Sequence, residues 1–210
     1  MPQNFVRRHI CIMTLRLLVR VASLAAFMSL RLSGQEAKTD AATEASQVRA
    51  KAEAGDAKAQ VRLGEKYKTG DGVPRSAAEA VRWYRKAAEQ GHPSSQFQVG
   101  LAYEHGLRVP KDFAEALKWY ERATNGGSEV AQNRLGFIYR RGDGVPKDLV
   151  EAAKWYRMAA QQGSRIGQQQ LGRLYAIGEG VPKDAGEAAK WSRKAANDGE
   201  REAMWDLGFL

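Results

Sequence analysis

Four glutamates recur every 36 residues, and aligned carboxylates are the first candidates for acid–base or metal chemistry. They are Glu79, Glu115, Glu151 and Glu187, and each stands three residues after a serine or an aspartate, at Ser76, Asp112, Asp148 and Asp184. In a capping box with this spacing, the first side chain accepts a backbone N–H of the first turn and the glutamate reaches back to the cap N–H. The pattern therefore favours four helix starts over a catalytic or metal site.

Aromatic residues form a second regular series, whose chemistry would be stacking against bases or sugars. All seven tyrosines fall in two columns of the 36-residue period, and four of the five tryptophans fall in a third. Around them, Ala80, Trp83, Tyr84, Ala87 and Ala88 follow the spacing i, i+3, i+4, i+7, i+8 of one helix face. This spacing favours core packing over an exposed stacking platform.

Other catalytic arrangements are missing from the sequence. Of the three histidines, His9 lies in the leader, His92 precedes a proline at a helix start, and His105 stands alone near a helix end. The motifs S-x-x-K, G-x-S-x-G, H-E-x-x-H and the phosphate-binding P-loop do not occur. We therefore predict no catalytic residue, no cofactor, no metal site and a non-enzymatic function.

The elements that position these residues repeat without gaps. Leu63-Gly64, Val99-Gly100, Leu135-Gly136, Leu171-Gly172 and Leu207-Gly208 occupy one column of the period. An unbroken period of this length predicts an array of one supersecondary unit. First helices start near Asp56, His92, Ser128 and Ser164 and end at Gly70, Gly106, Gly142 and Gly178, and second helices end at Gly91, Gly127, Gly163 and Gly199.

This period divides the chain into a series of units. We predict a capping helix over 35–55, repeats over 56–91, 92–127, 128–163 and 164–199, and a partial fifth repeat, with its first helix only, over 200–210. Gly64 and its equivalents lie inside helices, where glycine costs about 1 kcal/mol relative to alanine, so they predict close backbone approach. Two departures stand out: Gly106-Leu107-Arg108 replaces G-x-G, which predicts a locally different loop, and Ser192 replaces an aromatic residue.

Residues 1–34 have the pattern of a bacterial signal peptide. They contain five arginines and no acidic residue, and an uncharged run spans Val21 to Leu30. That run is too short to span a membrane, which takes roughly 20 apolar residues. We therefore predict a periplasmic or secreted protein, with no membrane association after signal removal, and with Met1 or Met13 as the start. A cytosolic scaffold is the alternative if this leader is no signal.

Much of the basic charge belongs to this leader. The formal net charge is +9, but without the five leader arginines 28 basic residues face 24 acidic ones. The alkaline balance is therefore poor evidence for a nucleic-acid partner, and we predict none. The only cysteine, Cys11, also lies in the leader, so the mature chain would carry no disulfide.

Three motifs on this period, A-x-x-x-L-G-x-x-Y, G-x-G-V-P-x-D and E-A-x-x-W-Y-x-x-A-A-x-x-G, closely resemble the sel-1-like repeat family over residues 57–210. The resemblance implies an all-α fold, a right-handed α/α superhelical solenoid related to tetratricopeptide repeats, whose first helices line a concave side. It also implies an adaptor role in bacterial assemblies, signalling or envelope functions. Some cysteine-rich relatives are described as β-lactamases, so an envelope hydrolase is the alternative. Those relatives rely on a disulfide in each repeat, which this mature chain lacks.

Recognition should lie in the columns of the first helix that vary between repeats. We predict that a protein or peptide partner binds an apolar groove with a polar rim, formed by Phe97, Leu101, Arg134, Phe137, Gln170 and Arg173. The alternative is that the aromatic rings simply add to packing between repeats. Nothing in the sequence specifies an oligomeric state.

Overall fold

The protein is a stack of short helices in the computed structural model, which describes residues 40–197. No strand occurs within this range, and each helix from α2 to α9 has 13 residues. The nine helices of this range are α1 (residues 40–53), α2 (Ala57–Thr69), α3 (Ala77–Glu89), α4 (Pro93–His105), α5 (Phe113–Asn125), α6 (Glu129–Arg141), α7 (Leu149–Gln161), α8 (Arg165–Ile177) and α9 (Ala185–Asn197). The predicted signal peptide over 1–34 and the partial fifth repeat over 200–210 lie outside the described residues.

Packing follows the order of the chain. The main contacts join helices that are adjacent in sequence, from α2 on α3 to α8 on α9. Each unit therefore touches chiefly its neighbours, which is the arrangement of a solenoid. The prediction of an all-α solenoid of 36-residue repeats is confirmed.

The first helix of each repeat begins and ends as its sequence predicts. Asp56 Oδ1 accepts the Ala59 N–H at 2.8 Å, and Ser128 and Ser164 make the same type of cap. His92 makes no such bond, and Pro93 follows it at the first helical position. The four closing glycines have left-handed φ values between 68° and 85°.

The second helices use only half of the predicted capping box. Asp148 Oδ1 accepts the Glu151 N–H at 2.9 Å, as predicted. The prediction of the reverse bond, from the cap N–H to the glutamate, is wrong. The Asp148 N–H donates instead to Tyr139 O at 2.9 Å, and the Glu151 carboxylate accepts a hydrogen bond from Lys154 Nζ at 2.7 Å. The loop before Asp148 returns the chain to the last turn of α6, whose carbonyl already satisfies the cap N–H. The same arrangement recurs at Asp112 and Asp184.

The core is built from alanines, leucines and the second-helix tyrosines. A Cβ atom placed on Gly100 would lie 2.5 Å from Tyr120 Cε1, and one on Gly136 would lie 2.8 Å from Tyr156 Cδ1. The prediction of close backbone approach is therefore wrong for these repeats: the glycine admits a tyrosine ring. Where Ser192 replaces the ring, a Cβ on Gly172 would meet Ser192 Oγ at 2.9 Å and a backbone oxygen, that of Ala188, at 3.3 Å.

The loop of the second repeat does not differ from the others, contrary to prediction. Arg108 adopts a φ of 61°, and the glycine at the same position in the next loop, Gly144, has 71°. The loop hydrogen bonds are also kept, since Leu107 N donates to Ala102 O at 2.8 Å and Asp112 N donates to Tyr103 O at 3.0 Å. These bonds fix the loop geometry whichever residue occupies position 108, so the arginine takes the left-handed conformation.

Candidate partner-binding face

One side of the first helices carries residues that vary between repeats. We call it the first-helix face; its residues follow the spacing i, i+4, i+7, i+11 and are half-buried or exposed. It comprises Lys58, Arg62, Glu65 and Thr69 on α2, Ser94, Gln98, Leu101 and His105 on α4, Val130, Arg134, Phe137 and Arg141 on α6, and Ile166, Gln170, Arg173 and Ile177 on α8. Five of the six predicted site residues lie on this face, and Phe97 does not.

Phe97 and Leu101 contact the core between repeats. The Phe97 ring lies 5.5 Å from the Tyr120 ring, centroid to centroid, at an interplanar angle of 39°. Both residues pack against the buried cluster that contains Tyr120, Leu135 and Ile138. These positions agree with the alternative in which the variable apolar residues add to packing between repeats. Leu101 nevertheless remains half-buried on the first-helix face.

Phe137 lies beneath a group of arginines. The guanidinium carbons of Arg134 and Arg141 are each 5.3 Å from the centre of its ring, and that of Arg140 is 6.0 Å away. Cations at this distance are attracted by the ring quadrupole. The result is a half-buried apolar surface surrounded by positive charge.

Arg134 is held by a buried carboxylate on the preceding repeat. Arg134 Nε donates to Glu104 Oε2 at 3.0 Å, its Nη2 pairs with Oε1, and the Tyr120 hydroxyl donates to Oε2 at 2.5 Å. Burial acts to raise the pKa of Glu104, but the hydrogen bonds from Arg134 and Tyr120 hold the pKa of this carboxyl below its ordinary value. The Arg134 side chain keeps 27% of its surface exposed, so it is both an inter-repeat link and part of the first-helix face.

The remaining arginines are also oriented by neighbours. Arg140 Nη1 donates to Gln170 Oε1 at 3.1 Å across the joint between repeats three and four. Arg141 Nε lies 3.2 Å from Asp143 Oδ2, and Arg173 is exposed on the next repeat. Sequence reasoning missed Arg140, Arg141 and Glu104. For Glu104 and Arg140 a signal was available, because they share one column of the period. That column also holds Lys68 and Ala176, so it differs in all four repeats.

Two side-chain links recur along the stack: a glutamine link joins the two helices of one repeat, and a tyrosine link joins successive repeats. In the glutamine link, Gln90 Nε2 donates to Gln60 Oε1 at 2.8 Å, and Gln162 donates to Gln132 at the same distance. In the tyrosine link, an arginine of a second helix donates to the tyrosine hydroxyl of the next first helix, as Arg157 does to Tyr175 at 2.8 Å. Equivalent pairs join Arg49 to Tyr67 and Arg85 to Tyr103.

Repeat two lacks the glutamine link between α4 and α5, and the tyrosine link is missing where α5 meets α6. Gly126 stands where Gln90 and Gln162 stand in other repeats, and the buried Gln96 Oε1 has no hydrogen-bond partner. Glu121 stands where the arginine would be, facing Tyr139. Burial raises the pKa of the Tyr139 phenol, and the charge of Glu121 raises it further. A cavity of about 360 Å³ opens between the start of α4 and the turn from α5 to α6, lined by His92, Pro93, Ser94, Phe97 and residues 126–130.

Within the residues that the structure describes, no three His, Cys, Asp or Glu side chains gather as a metal-binding group. The helices of the same range are too short or too polar to span a bilayer.

The fold and its repeated joints define the class of this protein, an α-helical solenoid built from stacked helix pairs. The family model described as Sel1 repeat matches the chain four times, at residues 57–92, 93–128, 130–164 and 166–200. The chain belongs to the Sel1 repeat family. Proteins of this family generally act as scaffolds for protein–protein interaction.

Solved structures of bacterial Sel1 repeat proteins are similar to this chain. The protective antigen c5321 of uropathogenic Escherichia coli shares 41% identity over 79% of this chain and 35% of its own, with a TM-score of 0.75. A Sel1 repeat protein from Oxalobacter formigenes shares 36% identity over 81% of this chain and 49% of its own, with a TM-score of 0.76. The present chain therefore corresponds to about a third and about half of these two proteins.

A more distant similarity is to Helicobacter pylori cysteine rich protein B, at 25% identity over 65% of this chain and 96% of that protein, with a TM-score of 0.51. The comparison with curated proteins finds no match.

Proposed function

We propose that this protein is an exported adaptor that binds a segment of a partner protein on its first-helix face. The observation that carries the proposal is the surface around Phe137, where a half-buried ring is surrounded by three arginines instead of being enclosed in the core. Apolar residues continue this surface, since Val130, Ile166 and Ile177 are 51%, 54% and 61% exposed. Exposed apolar surface with a charged border is typical of sites that receive a peptide or a helix.

The outer surface of the second helices has a different character. Lys118 pairs with Glu115, Lys154 with Glu151 and Lys190 with Glu187, each three residues apart on one helix. Exposed pairs of this kind satisfy each other and contribute little to binding or stability. The varied, partly apolar first-helix face is therefore the better candidate for recognition.

Export is the second part of the proposal. It is supported by the leader, in which four of the five arginines precede a short uncharged run that is followed by Arg31 and by small residues. Expression of the full chain in a bacterial host, followed by fractionation and intact-mass measurement, tests this part. A shortened form in the periplasmic or secreted fraction is expected, and an uncleaved form in the cytosol would favour the cytosolic scaffold.

Site-specific photo-crosslinking tests the binding face. A photo-reactive amino acid replaces Val130 or Ile166 on the first-helix face and, as the matched control, Met158, which is 43% exposed on α7. Discrete adducts to the same partner are expected from the first two positions and not from the third. Equal adducts from Met158, or none from any position, would contradict the proposal.

An assay for hydrolysis addresses the alternative function predicted from the sequence, an envelope hydrolase. Purified mature protein is incubated with nitrocefin, and no turnover above background is expected. Reproducible turnover would contradict an adaptor function.

A further inference from the structure

Tyr139 occupies a position at which tyrosines of the other repeats bind an arginine. We infer that an arginine of a basic partner segment binds here, with its guanidinium over the Tyr139 ring and its N–H groups shared between the phenol oxygen and the Glu121 carboxylate. Tyr139 follows Phe137 by two residues, which turns its side chain by about 200° around α6 and away from the first-helix face. The inference is therefore a second interaction surface, and it does not depend on the proposed function.

The tyrosine link shows three times what this position binds. An arginine 18 residues before the tyrosine donates a hydrogen bond to its hydroxyl group. The pairs are Arg49–Tyr67, Arg85–Tyr103 and Arg157–Tyr175, and their guanidinium carbons lie 5.8, 5.4 and 5.9 Å from the ring centres. At these distances the cation is also attracted by the ring quadrupole. A tyrosine in this column is therefore a binding position for a guanidinium group.

Tyr139 has the same setting without the arginine. Glu121 stands 18 residues before it. The Tyr139 ring packs, half-buried, against the cluster that contains Tyr156, as the ring of Tyr175 does. Its hydroxyl has no hydrogen-bond partner in the described range, and it is not among the fully enclosed polar atoms there. The hydroxyl is therefore open to a group that arrives from solvent.

The charge around this hydroxyl is negative. Burial raises the pKa of the Tyr139 phenol, and the charges that raise it further belong to Glu121, Glu151 and Asp148. Two of these carboxylates already have partners, since Asp148 Oδ1 accepts the Glu151 N–H at 2.9 Å and Glu151 Oε2 accepts a hydrogen bond from Lys154 Nζ at 2.7 Å. Glu121 is therefore the carboxylate that can receive a cation of a partner.

Glu121 is not neutralised by the cations that flank it on α5. Lys118 pairs with Glu115 at 3.0 Å, and the Arg122 guanidinium carbon lies 4.7 Å from the centre of the Trp119 ring. Among residues 40–197 the Glu121 side chain has no ion pair or hydrogen bond. An exposed carboxylate beside an unpaired phenol attracts a basic segment and repels an acidic one.

The site favours arginine over lysine. A guanidinium group is planar, lies flat on an aromatic ring, and has five N–H donors, so that it can bond to the phenol and the carboxylate together. An ammonium group is a more strongly hydrated point charge and cannot stack in this way. The occupant that the three internal pairs indicate is therefore an arginine side chain.

The test is fluorine NMR on the full chain labelled with 3-fluorotyrosine, in which Tyr139→Phe identifies the Tyr139 signal. The probe is a short peptide of alternating arginine and serine, and the matched peptide has lysine in place of every arginine. The arginine peptide should shift the Tyr139 signal in a saturable way that weakens with salt. The lysine peptide should bind about threefold more weakly or less. Equal affinities, or equal shifts of all the tyrosine signals, would overturn the inference.

Two variants and a control locate the binding. Glu121→Arg supplies the missing arginine from α5 itself and should abolish the response to the peptide, and Glu121→Gln should weaken binding about threefold. The control, Glu89→Arg, makes the same change in net charge as Glu121→Arg at an exposed position of α3. An equal loss in the control, or unchanged binding in both Glu121 variants, would overturn the inference. Crosslinking from Val130 and Ile166 reports separately on the first-helix face, so the proposed function can stand if this site fails.

Discussion

Glu104 has an unusual position for a carboxylate, since it is buried between three helices and accepts bonds from two of them. Its partners, Tyr120 and Arg134, lie on α5 and α6, so one side chain of α4 connects two successive repeats. A buried carboxylate that loses its partners is costly, because neither water nor another donor replaces them. Glu104 is therefore expected to set both the stability of this joint and its response to acid.

We expect Glu104→Gln to lower the free energy of unfolding by about 2 kcal/mol at pH 7, because the amide replaces a charge-assisted pair with weaker bonds. The folded-state pKa of Glu104 is lower than its unfolded value, so its contribution is present above about pH 4.3 and is lost as the pH falls through the folded pKa. The difference between wild type and variant should therefore shrink in acid. Urea unfolding at pH 7 and pH 3 measures it.

Arg134→Met supplies the comparison, since it leaves the carboxylate buried without its cation and should cost about 3 kcal/mol. In Glu104→Met/Arg134→Met no such charge remains, and the loss should be smaller than in Arg134→Met. Equal stability of wild type and Glu104→Gln at both pH values would contradict this role.

Arg108 is the one residue other than glycine with a positive φ among residues 40–197. A left-handed conformation costs a residue with a Cβ atom roughly 1–2 kcal/mol. Glycine avoids this cost, but its unfolded state is more flexible, which offsets part of the gain in stability. Arg108→Gly should therefore raise the free energy of unfolding by about 0.5–1 kcal/mol.

Thermal and urea unfolding of the Arg108→Gly variant provide the measurement. The reverse change, Gly144→Arg, serves as the control and should destabilise the protein, because a Cβ there would lie 2.4 Å from Phe113 Cδ1. A loss of stability in Arg108→Gly would show that the arginine side chain has a role of its own.

At the scale of helices, the joint between α5 and α6 differs from the others. It is the sparsest of the joints between successive helices from α2 to α9, and it lacks the tyrosine link. In the same repeat, the glutamine link between α4 and α5 is missing for a steric reason, since a Cβ on Gly126 would lie 2.4 Å from Pro93 Cγ. Pro93 at the start of α4 therefore excludes the glutamine that would satisfy Gln96.

This explanation predicts a rescue. Gly126→Gln alone should destabilise the protein, because its side chain meets the ring of Pro93. In Pro93→Ala/Gly126→Gln the ring is absent, and the new amide can donate to the unpartnered Gln96 Oε1. The double variant should be more stable than Pro93→Ala by about 1 kcal/mol.

Equilibrium unfolding in urea of the wild type, the two single variants and the double variant gives the four unfolding free energies of a double-mutant cycle. Simple addition of the two single effects would mean that Pro93 does not exclude the glutamine.

At the scale of the molecule, a solenoid is stabilised mainly by its nearest-neighbour joints, so one weak joint lowers the cost of separating the repeats on either side. The Glu104 pair is the main charged connection there, because it reaches α6 directly from α4. The protein should therefore open between repeats two and three before it opens elsewhere in the described range.

Hydrogen exchange followed by mass spectrometry tests this expectation on the full chain. Amides at the end of α5 and the start of α6 should exchange faster than those at the end of α7 and the start of α8, where Arg157 bonds to Tyr175. Glu121→Arg, which restores an arginine opposite Tyr139, should slow exchange at the first joint only. Equal rates at the two joints in the wild type would contradict a weak point.

The sequence by itself determined the period, the helix ends and the columns of the core. These depend on local interactions: Asp112 caps the helix it begins, Gly142 closes the helix before it, and Trp119 and Tyr120 follow the helical spacing. Predictions from local sequence failed where a contact with another part of the chain decided the structure. The Asp148 N–H bonds to α6, and Arg108 is held in the same loop geometry as the glycines at its position in the other repeats.

Only the tertiary structure decided which variable residues meet. Glu104 and Arg134 are 30 positions apart, as are Arg140 and Gln170, and no local pattern predicts which pairs of side chains adjoin once helices stack. Stacking also decided exposure, placing Phe97 against the core and Phe137 beneath arginines, although both occupy variable columns. The physical reason is that helix formation is encoded within a turn or two, while the surface offered to a partner is created by contacts between repeats.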